Sequence, residues 1–251
     1  MIRDLGTYVP RRPRRLNAPL LGMLLNGVHD HHAGRVFALQ VGAGTGETSL
    51  PLLSRFQKDG WSGLLIEPLP HNFARLEALH LESDRVAVLN LGISDQSATL
   101  ALHALTPEAE ARNRRLAPGR ASLTRDRIAT DGIAEADIIT AEVPFLRMDT
   151  VLQELGIDSV QLVAINAGGH EAQVLRSFDL AKLDPPLVLV HSSAGTAADD
   201  ACVAVMTGAN LLTFRLGGWL VGLAPARLAV PLEELLTFLQ KALTAPQDED
   251  E

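Results

Sequence analysis

The sequence predicts an α/β fold with a mainly parallel sheet and helices on both faces. Three observations carry that expectation. Short apolar runs alternate with stretches of helical spacing along most of the chain. The runs Val36–Val41, Gly63–Ile66, Val86–Leu91, Val160–Ile165 and Leu187–Val190 are apolar on both faces, as strands buried between two helix layers are. The first of them leads straight into a glycine-rich turn with helical spacing after it, which places a ligand at the carboxyl end of the sheet.

The elements follow in order. Residues 1–15 are rich in Pro and Arg and read as an extended arm. From Asn17 to about His32 the spacing is helical, with Leu20, Leu21, Leu24, Leu25 and Val28 on one face. Residues 1–32 thus form a basic arm and helix ahead of a main domain over 33–245. His29, His31 and His32 suit the negative end of that helix. They read as a solvated helix end, and no metal site is expected. Thr48–Lys58 and His71–Leu81 are helical, and Ala98–His103 alternates like a strand. Residues 106–142 break the rhythm, with Pro107, Pro118, Gly119 and Gly132 among Ala, Arg, Glu and Asp. They read as an insertion with partial helix over the strand ends, or equally as a surface loop. Glu171–Phe178 is helical. Asn210–Leu216 and Leu220–Leu223 form a late hairpin joined at Gly217-Gly218. Pro231–Leu243 is an amphipathic helix, and residues 246–251 are an acidic tail.

Composition removes several function classes. The chain has 251 residues, 47% hydrophobic and 21% charged, so it is not disordered throughout. A net charge of −8 argues against a nucleic-acid partner, although the 22 basic residues are nearly all Arg. The single Cys202 excludes a disulfide framework and a multi-cysteine zinc site. No run reaches the roughly 18–20 apolar residues of a membrane helix. Arg11–Arg15 precede the apolar stretch Leu16–Val28, but Asn17 and Asn26 interrupt it and no small-residue cleavage site follows. A cytoplasmic protein with no membrane partner is expected.

The strongest motif is Val36-Phe-Ala-Leu-Gln-Val-Gly42-Ala43-Gly44-Thr-Gly46. Glycines there let the turn take positive φ and let a ligand approach the backbone, while the next helix presents its N–H groups. The second strand ends Leu64-Leu65-Ile66-Glu67-Pro68, and an acid at that point can accept from ribose hydroxyls. The glycine spacing is not that of a dinucleotide loop, no Gly-Lys-Ser or Gly-Lys-Thr occurs, and Glu47 would repel a phosphate. A ribose-binding acid beside a compact loop without phosphate chemistry fits an adenosyl ligand, S-adenosylmethionine first.

Four segments resemble the FkbM-type S-adenosylmethionine-dependent methyltransferases, from about Val36 to Leu223. They are the loop Gln40–Pro51, the segment Gly60–Leu76 with its Ile-Glu-Pro core, Asn90-Leu-Gly-Ile-Ser-Asp95, and Val143–Leu152 leading into Val160–Asp179. Ala121-Ser122-Leu123 is a smaller match. The resemblance implies a Rossmann-like class I methyltransferase fold with a mainly parallel seven-stranded sheet. It implies S-adenosylmethionine as cofactor and O-methylation of a small-molecule, sugar or natural-product acceptor. It implies that Gly42, Ala43, Gly44 and Gly46 line the methionine and ribose side, that Glu67 binds the ribose and that Pro68 shapes the adenine edge. Ser94 and Asp95 would lie beside the adenine.

The departures fall at the strand ends. The family typically reads Ile-Asp-x-Glu-Gly after the fourth strand, where this chain reads Ile165-Asn166-Ala167-Gly168-Gly169-His170-Glu171. After the fifth strand His191 stands where the family often has Glu. Two expectations follow. Either His170 and His191 supply the base, with Asn166 orienting the acceptor, or the chain is a methyltransferase-like scaffold or partner subunit without turnover. A homo-oligomer or a partner protein stays open.

Overall fold

The computed structural model describes residues 14–46, 50, 52–112, 121–129, 133–192, 195–230, 233 and 235–237. Residues 1–13 of the basic arm, most of the terminal helix and the acidic tail lie outside the described residues, as do Glu47, Thr48 and Ser49 of the first loop. Arg14 and Arg15, expected in the extended arm, already belong to the first helix.

The chain opens with α1 (Arg14–His31), then β1 (Phe37–Val41), α2 (Leu52–Lys58), β2 (Ser62–Ile66), α3 (Pro70–His80) and β3 (Val86–Leu89). A short β4 (Gly92–Ile93) and a long β5 (Ala98–Leu105) follow, then α4 (Pro107–Arg112), β6 (Ala121–Ser122) and β7 (Ile138–Leu146). The second half runs α5 (Met148–Glu154), β8 (Leu162–Ile165), α6 (Glu171–Arg176), α7 (Leu180–Leu183), β9 (Leu187–His191) and α8 (Ala197–Gly208). It closes with β10 (Leu212–Leu216) and β11 (Trp219–Leu223).

Seven strands form the central sheet in the order β10-β11-β9-β8-β1-β2-β3. The pairs from β3 to β9 are parallel, and the β10–β11 hairpin adds antiparallel to β9. Alternate side chains divide between two cores, because successive strand residues face opposite ways. Ala38, Leu65, Leu162, Ala164, Leu187 and Leu189 pack with α1, α2 and α3. Leu39, Leu64, Val163, Ile165, Val188 and Val190 pack with α5, α6, α7 and α8. Cys202 of α8 lies in that second core, and burial pushes its thiol up to about 12. A thiol so shifted is inert. Among the described residues, no helix is long and apolar enough to cross a membrane.

The structure differs from the sequence expectation at the third strand, in the insertion and at the end of the first helix. The third strand, expected over Val86–Leu91, stops at Leu89, and Gly92–Ile93 beyond it belongs to a second sheet, β4-β7-β5-β6. The insertion contributes β6 and the first half of β7 to that sheet. Its main strand β7 pairs antiparallel with β5 along the whole of Ala98–Leu105. β7 does not stand out in the sequence, because Pro144 falls within it and polar residues surround it. Val143 and Phe145 nonetheless alternate inward, against Leu102 and Ala104.

The end of α1 also differs. His29 is not merely solvated. Its Nδ1 accepts from Trp61 Nε1 at 3.0 Å, and Trp61 is fully buried. The Arg55 guanidinium lies 5.5 Å from the Trp61 ring centre and donates to Asn26 at 2.6 Å. This cluster pins α1 to the start of β2. Trp61→Phe is expected to keep the packing and lose the indole hydrogen bond. The expected loss is about 1 kcal/mol of unfolding free energy, read from urea denaturation.

Candidate active site

The loops after β1, β2, β4 and β8 converge at the carboxyl end of the sheet. Gly42 (φ +74°) leaves β1 in a left-handed conformation. A Cβ there would stand 1.9 Å from the Asn166 carbonyl oxygen. The first glycine is therefore demanded by a neighbouring chain segment as well as by its turn. The Asn166 N–H returns a bond to the Val41 carbonyl at 2.9 Å, so the loops after β1 and β8 are laced together. Ala43 is fully buried, and its N–H donates to the Ile66 carbonyl at 3.1 Å. Gly46 packs against Leu76 and Leu79 of α3.

Glu67 ends the next strand and is 3% exposed. Its Oε2 accepts from the Gly44 N–H at 2.8 Å. Its Oε1 accepts from the Leu69 N–H at 3.0 Å and from Asn72 Nδ2 at 3.4 Å. Burial raises its pKa, and these three donors oppose the shift by favouring the ionised form. Asn90, just past β3, donates to the Glu67 and Pro68 carbonyls at 2.8 and 3.1 Å. Glu67 is thus held from both sides, by the glycine loop and by the neighbouring strand end. Asn72 and Asn90 were not singled out from the sequence. Both sit in the quoted motif segments, Asn72 buried in the first turn of α3 and Asn90 exposed just past β3.

Ser94 and Asp95 follow β4. Ser94 is 4% exposed, and its Oγ lies 2.9 Å from His170 Nε2 and 3.3 Å from Asp95 Oδ1. His170 precedes the first turn of α6, with its ring edge-on to Phe145 at 6.2 Å between centres. Burial lowers its pKa, while the charges of Asp95 and Glu171 pull it back up. Arg147, another residue the sequence reading passed over, donates to the Asp95 carbonyl at 2.6 Å and to the Ser177 carbonyl at 3.2 Å. It thereby ties the Asp95 loop to the far end of α6.

His191 ends β9, beside Asn166 at the end of β8, but it turns the other way. Its ring packs edge-on against Trp219 of β11 at 5.1 Å. Burial on that side lowers its pKa, with the charge of Glu171 opposing. No hydrogen bond or ring contact joins the two histidines. Ser192, next after His191, is held by a buried ion pair between Arg215 and Asp199, their side chains 6% and 7% exposed. Ser192 Oγ donates to Asp199 at 2.7 Å within it.

Glu171 is buried and committed to its own turn: Oε1 accepts from the Ala167 and Gly169 N–H groups, each at 3.0 Å. Asn166 is exposed. Gly168 (φ +60°) lies under the insertion, where a Cβ would meet the Ala121 carbonyl oxygen at 2.0 Å. Ser122 Oγ donates to the Gly168 carbonyl at 2.8 Å.

The profile of the methyltransferase FkbM domain matches residues 40–214, most of the chain and every segment of this site. The chain belongs to the FkbM methyltransferase domain family. Its sheet is accordingly the Rossmann-like sheet of that family, with a hairpin at one edge. Among solved structures, it is similar to the methyltransferase FkbM from Methylobacillus flagellatus KT, at 13% identity and a TM-score of 0.47. That match covers 75% of this chain but 44% of the other, so the chain spans less than half of that protein's length. The METTL16 methyltransferase domain gives 14% identity, coverage of 86% and 70%, and a TM-score of 0.46. An RNA methyltransferase from Salinibacter ruber, in complex with S-adenosyl-L-homocysteine, gives 16% identity, coverage of 81% and 88%, and a TM-score of 0.38. Membership of the family rests on the profile and not on these distant likenesses. No curated protein matches the sequence.

Proposed function

We propose that this FkbM-family chain transfers the methyl group of S-adenosylmethionine to an oxygen of a small-molecule, sugar or natural-product acceptor. The observation that carries the reading is Glu67, a buried carboxylate hydrogen-bonded to the glycine loop at the carboxyl end of β2. A carboxylate offers about four acceptor positions. Three donors occupy it, so capacity for a ribose hydroxyl is left, and the 3.4 Å contact from Asn72 is the easiest to exchange. The loop Gly42–Gly46 brings no cation for a phosphate. The donor set therefore fits a nucleoside.

When bound, S-adenosylmethionine supplies a methyl group already activated by its sulfonium. What the chain supplies is alignment and a place for the acceptor's proton. Gly42, Ala43, Gly44 and Gly46 form the floor of the cofactor side, with Glu67 and Pro68 at its ribose and adenine end. Ser94 and Asp95 border it next to His170, which takes the proton. Asn166 orients the acceptor, with His191 at the neighbouring strand end.

Isothermal titration with S-adenosylmethionine and S-adenosylhomocysteine tests the reading. Micromolar binding of both is expected, and no binding at millimolar ligand would overturn it. The scaffold reading draws on one observation: Glu171 is tied to its turn, and no other carboxylate stands in Asn166–His170 or at His191. Binding without transfer to any hydroxyl acceptor would sustain it.

The reading carries a pH prediction. A base must be deprotonated to act, so the rate rises with pH through its pKa. Burial places His170 below its ordinary value. The acid limb of the kcat/KM profile is therefore expected below about pH 6.5, and His170→Gln is expected to remove that limb.

A further inference from the structure

We infer that Ser94 is a positioning residue that holds His170 in one tautomer, with the proton on Nε2 and the Nδ1 lone pair open. The inference rests on the proposed role of His170 as proton acceptor. It assigns the nitrogen that does the work and the groups that select it.

The argument is an accounting of protons. The Ser94 hydroxyl has one proton and touches two groups, His170 Nε2 at 2.9 Å and Asp95 Oδ1 at 3.3 Å. An ionised carboxylate only accepts, whereas an imidazole nitrogen accepts or donates according to tautomer. If Ser94 gave its proton to Nε2, its oxygen lone pairs would face a negative oxygen across 3.3 Å. If it gives its proton to Asp95, both contacts are satisfied, and Nε2 must then carry a hydrogen and donate it to Ser94. Nδ1 is left unprotonated, and among the described residues no side chain or backbone group bonds to it.

The surroundings hold this chain of bonds in place. Arg147 fixes Asp95 through its carbonyl at 2.6 Å, and the Phe145 ring flanks the imidazole. Among the described residues, two charged groups act on the imidazole, Asp95 through Ser94 and Glu171 next along the chain. Both are acidic, so both stabilise the imidazolium that forms when Nδ1 takes a proton. In the proposed transfer, the acceptor oxygen bonds to the methyl carbon as the carbon–sulfur bond breaks. The sulfonium becomes a neutral thioether, and the acceptor's proton ends on Nδ1. Ser94 and Asp95 thus serve the imidazole, in addition to bordering the adenine side.

The test is nitrogen-15 spectroscopy of the full chain. Long-range proton–nitrogen correlations distinguish a protonated, pyrrole-type ring nitrogen from an unprotonated, pyridine-type one. The His170 signals are assigned by their loss in His170→Gln. The expected wild-type spectrum, recorded above the His170 titration, has Nε2 pyrrole-type and Nδ1 pyridine-type. Ser94→Ala is expected to move both toward intermediate shifts, and Ser94→Thr, which keeps the hydroxyl, to restore them. A wild-type His170 protonated on Nδ1 would overturn the inference without any variant. So would a Ser94→Ala spectrum identical to wild type. None of these readings needs cofactor or acceptor, so failure here is separable from failure to bind S-adenosylmethionine.

Discussion

Replacing Glu67 with glutamine is expected to weaken S-adenosylmethionine binding at least tenfold, with a smaller loss of stability. The replaced group bonds three donors, two of them backbone N–H groups that cannot move away. A glutamine of the same size has one acceptor end and one donor end. Its oxygen will turn to the Leu69 and Asn72 side, where two donors wait. Its NH2 then faces the Gly44 N–H, and the glycine loop loses its tie to β2. A hydrogen bond to a charged group contributes about 1.5–3 kcal/mol, which corresponds to roughly ten- to hundredfold in affinity if the ribose contact is lost. Stability falls less because two effects oppose. An unsatisfied buried N–H costs about 1–3 kcal/mol, but the substitution also removes a buried charge.

The direction of the Glu67 shift gives a further check. An acid whose pKa is raised by folding favours the native state when protonated. That contribution is present at low pH and is lost as pH rises through the folded pKa. Glu67→Gln removes this dependence, so its stability deficit relative to wild type should shrink as pH rises from the acid side to neutrality. Titration calorimetry measures the affinity and urea unfolding at two pH values the stability. Wild-type affinity in Glu67→Gln would show that the carboxylate does not reach the cofactor.

The central sheet was legible in the sequence because its strands are apolar on both faces and bounded by glycine or acid. Val36–Val41, Gly63–Ile66 and Leu187–Val190 fall within a residue or two of the observed strands. The glycine loop and Glu67 were legible for a related reason, since a short loop beside a fixed strand end leaves few arrangements. The second sheet was not. β7 carries Pro144 and alternates buried and exposed residues, a half-buried pattern that in an acidic, proline-containing stretch looks like loop. The partnership of Ser94 with His170 was not legible either, because 76 residues separate them and the loop after β4 brings them together. Nor could sequence alone reveal the second reason that Gly42 must be glycine. The Asn166 carbonyl that crowds it comes from another strand.

Restoring the family's second acid, by Gly168→Glu, is expected to destabilise the protein by about 2 kcal/mol or more and to restore nothing. The backbone at Gly168 has φ +60°, where a non-glycine residue carries a cost of about 1–3 kcal/mol. Its Cβ would also stand 2.0 Å from the Ala121 carbonyl oxygen, a backbone atom of β6. That oxygen cannot swing aside as a side chain does. The Ser122 bond to the Gly168 carbonyl would have to break with it. In this chain the insertion occupies the space above the turn, so glycine at 168 is a packing requirement. Asn166→Asp is the matched control. Asn166 is exposed and its backbone bond to Val41 is unaffected, so stability should change by no more than about 0.5 kcal/mol. Urea unfolding of both variants separates the accounts. If Gly168 were only a lost catalytic acid, the two substitutions would be tolerated alike, and a fully stable Gly168→Glu protein would show that β6 does not hold the loop after β8.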